Sequence, residues 1–212
     1  MAKKDHVYYL QQMGIDVWTS RQTNTCSNKL IDLAETVANC TKCPTLYQNR
    51  TQTVFSRGNP SAKLMIIGEA PGFNEDKQGL PFVGRAGTLL NQMLNSIGLN
   101  EDDVYIANVI KCRPPENRDP RPEEIAQCSG YLIQQIKLVA PKLLLALGRF
   151  AGQFLLKELQ ALNRMRNTVH SYKNIPFIVT YHPAYLLRKP SDKKKAYIDL
   201  LAVRELLDGN EI

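Results

Sequence analysis

Long apolar runs are missing from this sequence. Nowhere do about eighteen uncharged apolar residues follow one another, so no membrane-spanning helix is expected. The opening Met1-Ala2-Lys3-Lys4-Asp5-His6 carries positive charge with no apolar stretch behind it, which points away from an export signal and toward a cytoplasmic protein. There is no internal repeat and no low-complexity tract. With 43% hydrophobic and 22% charged residues, collagen-like, coiled-coil and wholly disordered chains are excluded. Tryptophan occurs once, as Trp18, and histidine three times. The five cysteines are Cys26, Cys40, Cys43, Cys112 and Cys128. Without an export signal they read as reduced thiols or metal ligands rather than disulfides.

Acid is the minority charge: 20 Asp and Glu stand against 27 Lys and Arg, a net charge of +7. That balance suits a polyanionic partner, nucleic acid first among them. At 212 residues the chain is long enough for one domain with its own core and a short extension. Residues 1–30 are a polar lead-in, in which Tyr8, Tyr9, Leu10, Met13 and Ile15 could build one small docking helix. Residues 31–212 form the domain.

Four short apolar segments bounded by turn residues read as buried strands: 64–67, 104–110, 143–147 and 177–180. Between them lie helical patterns. Leu89, Leu90, Met93, Leu94 and Ile97 form a stripe that stops at Gly98, and Pro122 opens a second helix whose stripe runs through Ile125, Cys128, Leu132 and Ile136. A third begins near Arg149 and a last one covers 194–207. Alternation of this kind predicts an α/β fold, a three-layer α/β/α sandwich around a central four-stranded parallel sheet. Such sheets bind ligands beyond the carboxyl ends of their strands. Those ends carry Gly68-Glu69, Asn108, Gly148-Arg149 and Tyr181-His182, so an acid, an amide and an imidazole are expected on one edge.

Cys40-x-x-Cys43 places two thiols within reach of one metal centre, with Cys112 just after a strand and Cys128 on the inner side of a helix. Four thiolates can hold a zinc ion or an iron–sulfur cluster, and spacing alone leaves the choice open. The plainer reading makes Cys112 and Cys128 small buried hydrophobes.

The blocks Gly68-Glu69-Ala70-Pro71-Gly72, Glu75-Asp76, Gly79-Leu80-Pro81-Phe82-Val83-Gly84-Arg85-Ala86-Gly87, Asn108-Val109-Ile110-Lys111-Cys112-Arg113-Pro114-Pro115-Glu116-Asn117-Arg118 and Thr180-Tyr181-His182-Pro183-Ala184-Tyr185-Leu186-Leu187-Arg188 occur in one order. Together they resemble the family 4 uracil-DNA glycosylases, the iron–sulfur branch of the uracil-DNA glycosylase superfamily, over residues 36–207. The resemblance implies a monofunctional glycosylase that flips uracil out of DNA and hydrolyses its N-glycosidic bond. It implies a structural [4Fe–4S] cluster on Cys40, Cys43, Cys112 and Cys128. A flipped-base pocket needs only one chain, so a monomer is expected, acting on single- or double-stranded DNA.

On that resemblance Asn108 reads the base, donating to uracil O4 and accepting from N3–H, a pattern that cytosine reverses. Phe82 stacks on the base, and Gly68 and Gly72 shape the substrate turn. His182 donates to uracil O2 as charge develops there. Glu69 orients water or stabilises the sugar cation; the best-known branch has an aspartate one position later, where this chain has Ala70. The alternative for Glu69 is a residue that shapes the turn. DNA contacts fall to Arg85, to Leu186 and Leu187 as wedges, and to the cations Arg188, Lys189, Lys193, Lys194 and Lys195. No histidine follows Asn108 in the place where some relatives cross-link to DNA, so turnover is expected. A rival reading from another class is an iron–sulfur or zinc DNA-binding module without catalysis.

Overall fold

The computed structural model describes residues 24–209. The docking helix expected over residues 8–15, Trp18 and the side chain of Cys26 lie outside that description. Two helices come first, α1 (Asn24–Ala38) and α2 (Pro44–Asn49). They are followed by β1 (Arg57–Gly58), β2 (Leu64–Gly68), α3 (Phe73–Gln78), α4 (Arg85–Asn95), β3 (Val104–Asn108) and α5 (Pro122–Val139). The second half holds β4 (Leu143–Leu147), α6 (Arg149–Leu156), α7 (Leu162–Met165), β5 (His170–Tyr172), β6 (Ile175–Thr180), α8 (Pro183–Arg188) and α9 (Lys193–Leu207). Helix α1 crosses the expected boundary at residue 30, and its Leu30 and Leu33 are both buried in the core. Among the described residues no helix is long and apolar enough to cross a membrane.

The sheet has six strands in the order β1-β3-β2-β4-β6-β5. Its central four, β3-β2-β4-β6, are parallel, as the sequence predicts. Two short antiparallel strands extend the edges, β1 beside β3 and β5 beside β6. With two and three residues, neither carries an apolar run that could announce it. The expected strand over 104–110 ends at Asn108. Beyond it the backbone bends, while Val109 N–H still donates to Gly68 O (2.9 Å) and Ile110 N–H to Glu69 O (3.1 Å).

Every residue of β2, β3 and β4 is buried, because both sheet faces are covered. The period of two divides these side chains between two cores. Met65, Ile67, Tyr105, Leu144, Ala146, Phe177 and Val179 meet Leu132 and Ile136 of α5 and Leu155 of α6. On the other face Leu64, Ile66, Val104, Ile106, Leu145 and Ile178 meet Leu90 and Leu94 of α4 and Leu200 and Val203 of α9. Each fully buried large aliphatic contributes roughly 1.5–3 kcal/mol relative to an exposed one. The first parallel strand, β2, sits between β3 and β4, so the connections leave it in opposite directions. A crevice therefore opens at the carboxyl edge beside β2.

The segment around residues 164–170, irregular as sequence, has a structural explanation. Arg166 is buried and makes two bonds to Asp199 of α9, from Nε (2.8 Å) and Nη2 (2.9 Å). It also donates to Tyr181 Oη (3.1 Å) and Lys195 O (3.0 Å), while Thr180 Oγ1 donates to Asp199 (2.6 Å). His170 opens β5, its Nε2 lying 2.7 Å from Met165 O. The network pins the end of β6 to α9. Asp199→Ala leaves a buried guanidinium without its counter-charge and is expected to cost about 3–5 kcal/mol in a urea denaturation. Leu201→Ala on the exposed face of the same helix is expected to stay within about 0.5 kcal/mol. Equal effects from the two would contradict this account.

Candidate active site

The strand ends meet in a cleft of about 490 Å³, lined by Glu69, Gly72, Phe82, Asn108, His182 and Arg188 among others. Register brings the parts together: Gly68 of β2 pairs with Asn108 of β3, and Leu147 of β4 with Thr180 of β6, two residues before His182. Gly68 matters for what it lacks. A Cβ there would lie 2.3 Å from Asn108 Oδ1 and 2.7 Å from Phe82 Cζ, so only glycine lets the amide and the ring close on the same point. Asn108 is 2% exposed, and its Oδ1 is buried without a hydrogen-bond partner among the described residues. A buried acceptor left open at a cleft wall costs free energy unless a ligand donor fills it.

Phe82 is held in an unusual backbone conformation, with φ at +56°, which a bulky residue adopts only when its surroundings impose it. Two features impose it here. Glu75 Oε1 accepts from the N–H groups of Val83 (3.1 Å) and Gly84 (3.2 Å), tying down the following loop. Gly87 of α4 packs on the Phe82 carbonyl so closely that a Cβ would fall 1.6 Å from its oxygen. Glu75 and Gly87 stand inside the sequence blocks already noted but had no assigned role, because both act on backbone atoms of another loop. The Phe82 and His182 rings lie 5.6 Å apart, tilted by 32°.

His182 precedes α8 and caps it: its Nδ1 accepts the Ala184 N–H at 3.2 Å. Burial first, then the Arg188 charge, push the imidazole down to about 4, against a smaller opposite pull from Glu75. The ring is therefore neutral near pH 7, and with Nδ1 accepting, its proton resides on Nε2. Glu69 moves the other way. Burial, then the nearby Asp119 carboxylate, push its carboxyl up to about 7, with Arg149 drawing it partly back. One cleft thus holds a neutral hydrogen-bond donor and a carboxyl poised to lose its proton near neutrality.

The loop after β3 completes the cleft with Pro114, Asn117, Arg118 and Asp119, none of them singled out by the sequence reading. Arg118 is fixed by a two-pronged pair with Glu124, at 2.9 and 2.5 Å. On the opposite rim the basic segment divides. Lys189 and Lys195 pair with buried Asp192 at 3.4 and 2.9 Å, leaving Arg188, Lys193 and Lys194 exposed with no ion pair among the described residues. The expected wedge divides too. Leu186 is 0% exposed, drawn into the core as the inward residue of α8, so it is not available to DNA in this conformation. Leu187 is half-exposed, and Arg85 lies exposed at the start of α4.

The cysteines occupy the core on the α5 side of the sheet. Cys112 and Cys128 are buried, and Cys40 and Cys43 pack partly buried against the same cluster. Arg50 Nη1 donates to Cys112 Sγ (3.0 Å), and Lys111 N–H donates to Cys128 Sγ (3.2 Å). Burial raises Cys43, and the charges of Cys112 and Cys40 raise it further, so the thiols sense one another across the layer. Among the described residues no three His, Cys, Asp or Glu side chains converge on a point that would hold a single ion. Four neighbouring thiols, with N–H donors aimed at two of the sulfurs, form a donor set of the kind that holds an iron–sulfur cluster.

Known proteins resemble the chain over most of its length. The profile of the Uracil DNA glycosylase superfamily matches residues 55–202. A Type-4 uracil-DNA glycosylase from Archaeoglobus fulgidus is 42% identical over 185 residues, covering 84% of this chain and 92% of that protein. Those of Sulfurisphaera tokodaii and Thermotoga maritima are 44% and 42% identical, covering 84% and 78% of this chain and 85% and 87% of theirs.

Between the folded value of about 4 and the unfolded value near 6.5, the unfolded chain binds more protons at His182 than the folded chain does. The group's contribution to stability is therefore complete above about pH 6.5 and is lost as pH falls toward 4. The His182 ring resonances are expected to remain those of the neutral Nε2–H form down to about pH 5.5. A titration midpoint near 6.5 for this ring would contradict the reading.

Proposed function

The chain belongs to the uracil-DNA glycosylase superfamily, and from that premise we propose that this cleft hydrolyses the bond between uracil N1 and deoxyribose C1′ in DNA. The product is an abasic site for repair. The observation that carries the assignment is the open Asn108 Oδ1 beside Phe82. An amide that accepts from N3–H and donates to O4 matches uracil; cytosine presents an acceptor at N3 and a donor at N4 and mismatches at both.

Phe82 supplies a stacking face for the flipped base, worth about 1–3 kcal/mol and indifferent to which base it is. Selectivity therefore rests on Asn108. As the glycosidic bond stretches, negative charge gathers on the base and positive charge on the sugar. The Nε2–H of neutral His182 donates to O2 at that moment. A neutral donor avoids placing a full cation in a buried site that later releases an anion. Glu69, in its carboxylate form, orients water toward C1′ and faces the sugar cation. Arg188, Lys193 and Lys194 have no acidic partner among the described residues and suit the phosphates, with the exposed Arg85 and half-exposed Leu187 as further contacts.

Cys40, Cys43, Cys112 and Cys128 would hold a [4Fe–4S] cluster, whose contribution would be to cross-link the turn between α1 and α2, the loop after β3 and α5. Iron analysis of the purified protein checks this reading. We further propose that the enzyme acts in the cytoplasm as a monomer, since one chain supplies every wall of the cleft, and that it takes uracil from single- and double-stranded DNA.

The test is excision from an oligonucleotide with one uracil, read as strand breakage after alkali. Asn108→Ala is expected to lose about 10²–10³ in rate, and a cytosine oligonucleotide to stay intact. Because the Glu69 carboxyl titrates near 7, the wild-type rate should climb through neutrality as the carboxylate forms, and Glu69→Gln should be slow and flat across that range. No excision by folded, iron-bearing protein would instead favour a DNA-binding module.

A further inference from the structure

Lysine is almost never fully buried without a charged partner, yet Lys111 is 1% exposed and makes no ion pair among the described residues. Its bonds run in two directions. The Nζ donates to Asn108 O (2.8 Å) and to Gln135 Oε1 (2.5 Å), while its backbone N–H donates to Cys128 Sγ (3.2 Å). Gln135, 0% exposed, is itself fixed, donating to Tyr105 Oη (3.0 Å) and Phe55 O (3.2 Å). A leucine or methionine would fill this space without the desolvation cost, so packing alone does not account for the amine.

Asn108 Oδ1 has no partner among the described residues, so the direction of the amide depends on its backbone. One edge of that backbone is held by the Val109 and Ile110 bonds to the end of β2. The Asn108 carbonyl is held by Lys111. We infer that Lys111 is a positioning residue that braces the base-reading amide against the cysteine layer. This rests on the assignment of Asn108 as the reader of uracil. One residue touches Cys128 with its main chain and Asn108 with its side chain, so order in the cysteine layer reaches the cleft in a single step.

The experiment is an NMR titration of the whole, iron-bearing protein with free uracil, a binding readout independent of turnover. Wild type is compared with Lys111→Met, Asn108→Ala and the double variant, with iron content followed in each. Lys111→Met is expected to weaken uracil binding about tenfold, the scale of one lost hydrogen bond. Its effect on excision should fall on kcat, with KM for DNA and iron content unchanged. In the Asn108→Ala background the lysine substitution should add nothing, because Lys111 acts through Asn108. Gln135→Leu removes the second acceptor but keeps the lysine, and should weaken uracil binding to a smaller degree. It carries the test if Lys111→Met does not fold. An equal loss in both backgrounds, or wild-type uracil affinity in both Lys111→Met and Gln135→Leu, overturns the positioning role alone. Unchanged uracil affinity in Asn108→Ala overturns the base-reading assignment itself.

Discussion

The site depends on the parallel pairing of β2 with β3, which sets Gly68 directly beside Asn108. Shift that pairing by one residue and the amide turns to the opposite face of the sheet. Put a side chain on Gly68 and the amide and Phe82 can no longer share the point between them. The register is secure because both faces of these strands are buried, so a slip would exchange two complete cores. Precision in the cleft is thus inherited from packing that has no contact with substrate.

Around that fixed point the charges are arranged against the habits of their side chains. An imidazole that would be partly protonated in water is kept neutral, and a carboxyl that would be fully ionised is held near its midpoint. Both follow from burial at a sheet edge, then from one neighbour each: Arg188 beside the histidine and Asp119 beside the glutamate. The pairing suits a reaction that must receive an anion and direct water without a strongly solvated ion at either end. The cations Arg188, Lys193 and Lys194 stay exposed, where they keep their hydration.

Much of this was legible in the sequence, and the exceptions have physical reasons. The four central strands announced themselves as apolar runs, because a strand covered on both faces has no polar side to interrupt it. The strand ends then located Glu69, Asn108 and His182. Edge strands of two and three residues left no pattern to read. Leu186 and Leu187 look alike in one dimension; only the rotation of α8 buries the first and half-exposes the second. Lys111, inside a quoted block, reads as one more surface cation until the fold encloses it. Glu75 and Gly87 act on backbone atoms of another loop, an interaction that residue type does not signal.

The central claim is that the empty space at Gly68 lets Asn108 and Phe82 meet on one base. Gly68→Ala tests it most directly, because the added methyl would press on two movable side chains rather than on backbone. The account predicts a protein with wild-type circular dichroism and iron content whose uracil excision is reduced about a hundredfold or more, the scale of losing a transition-state hydrogen bond. Wild-type excision by Gly68→Ala would contradict it, since the amide would then read uracil without the geometry on which the site is argued to depend.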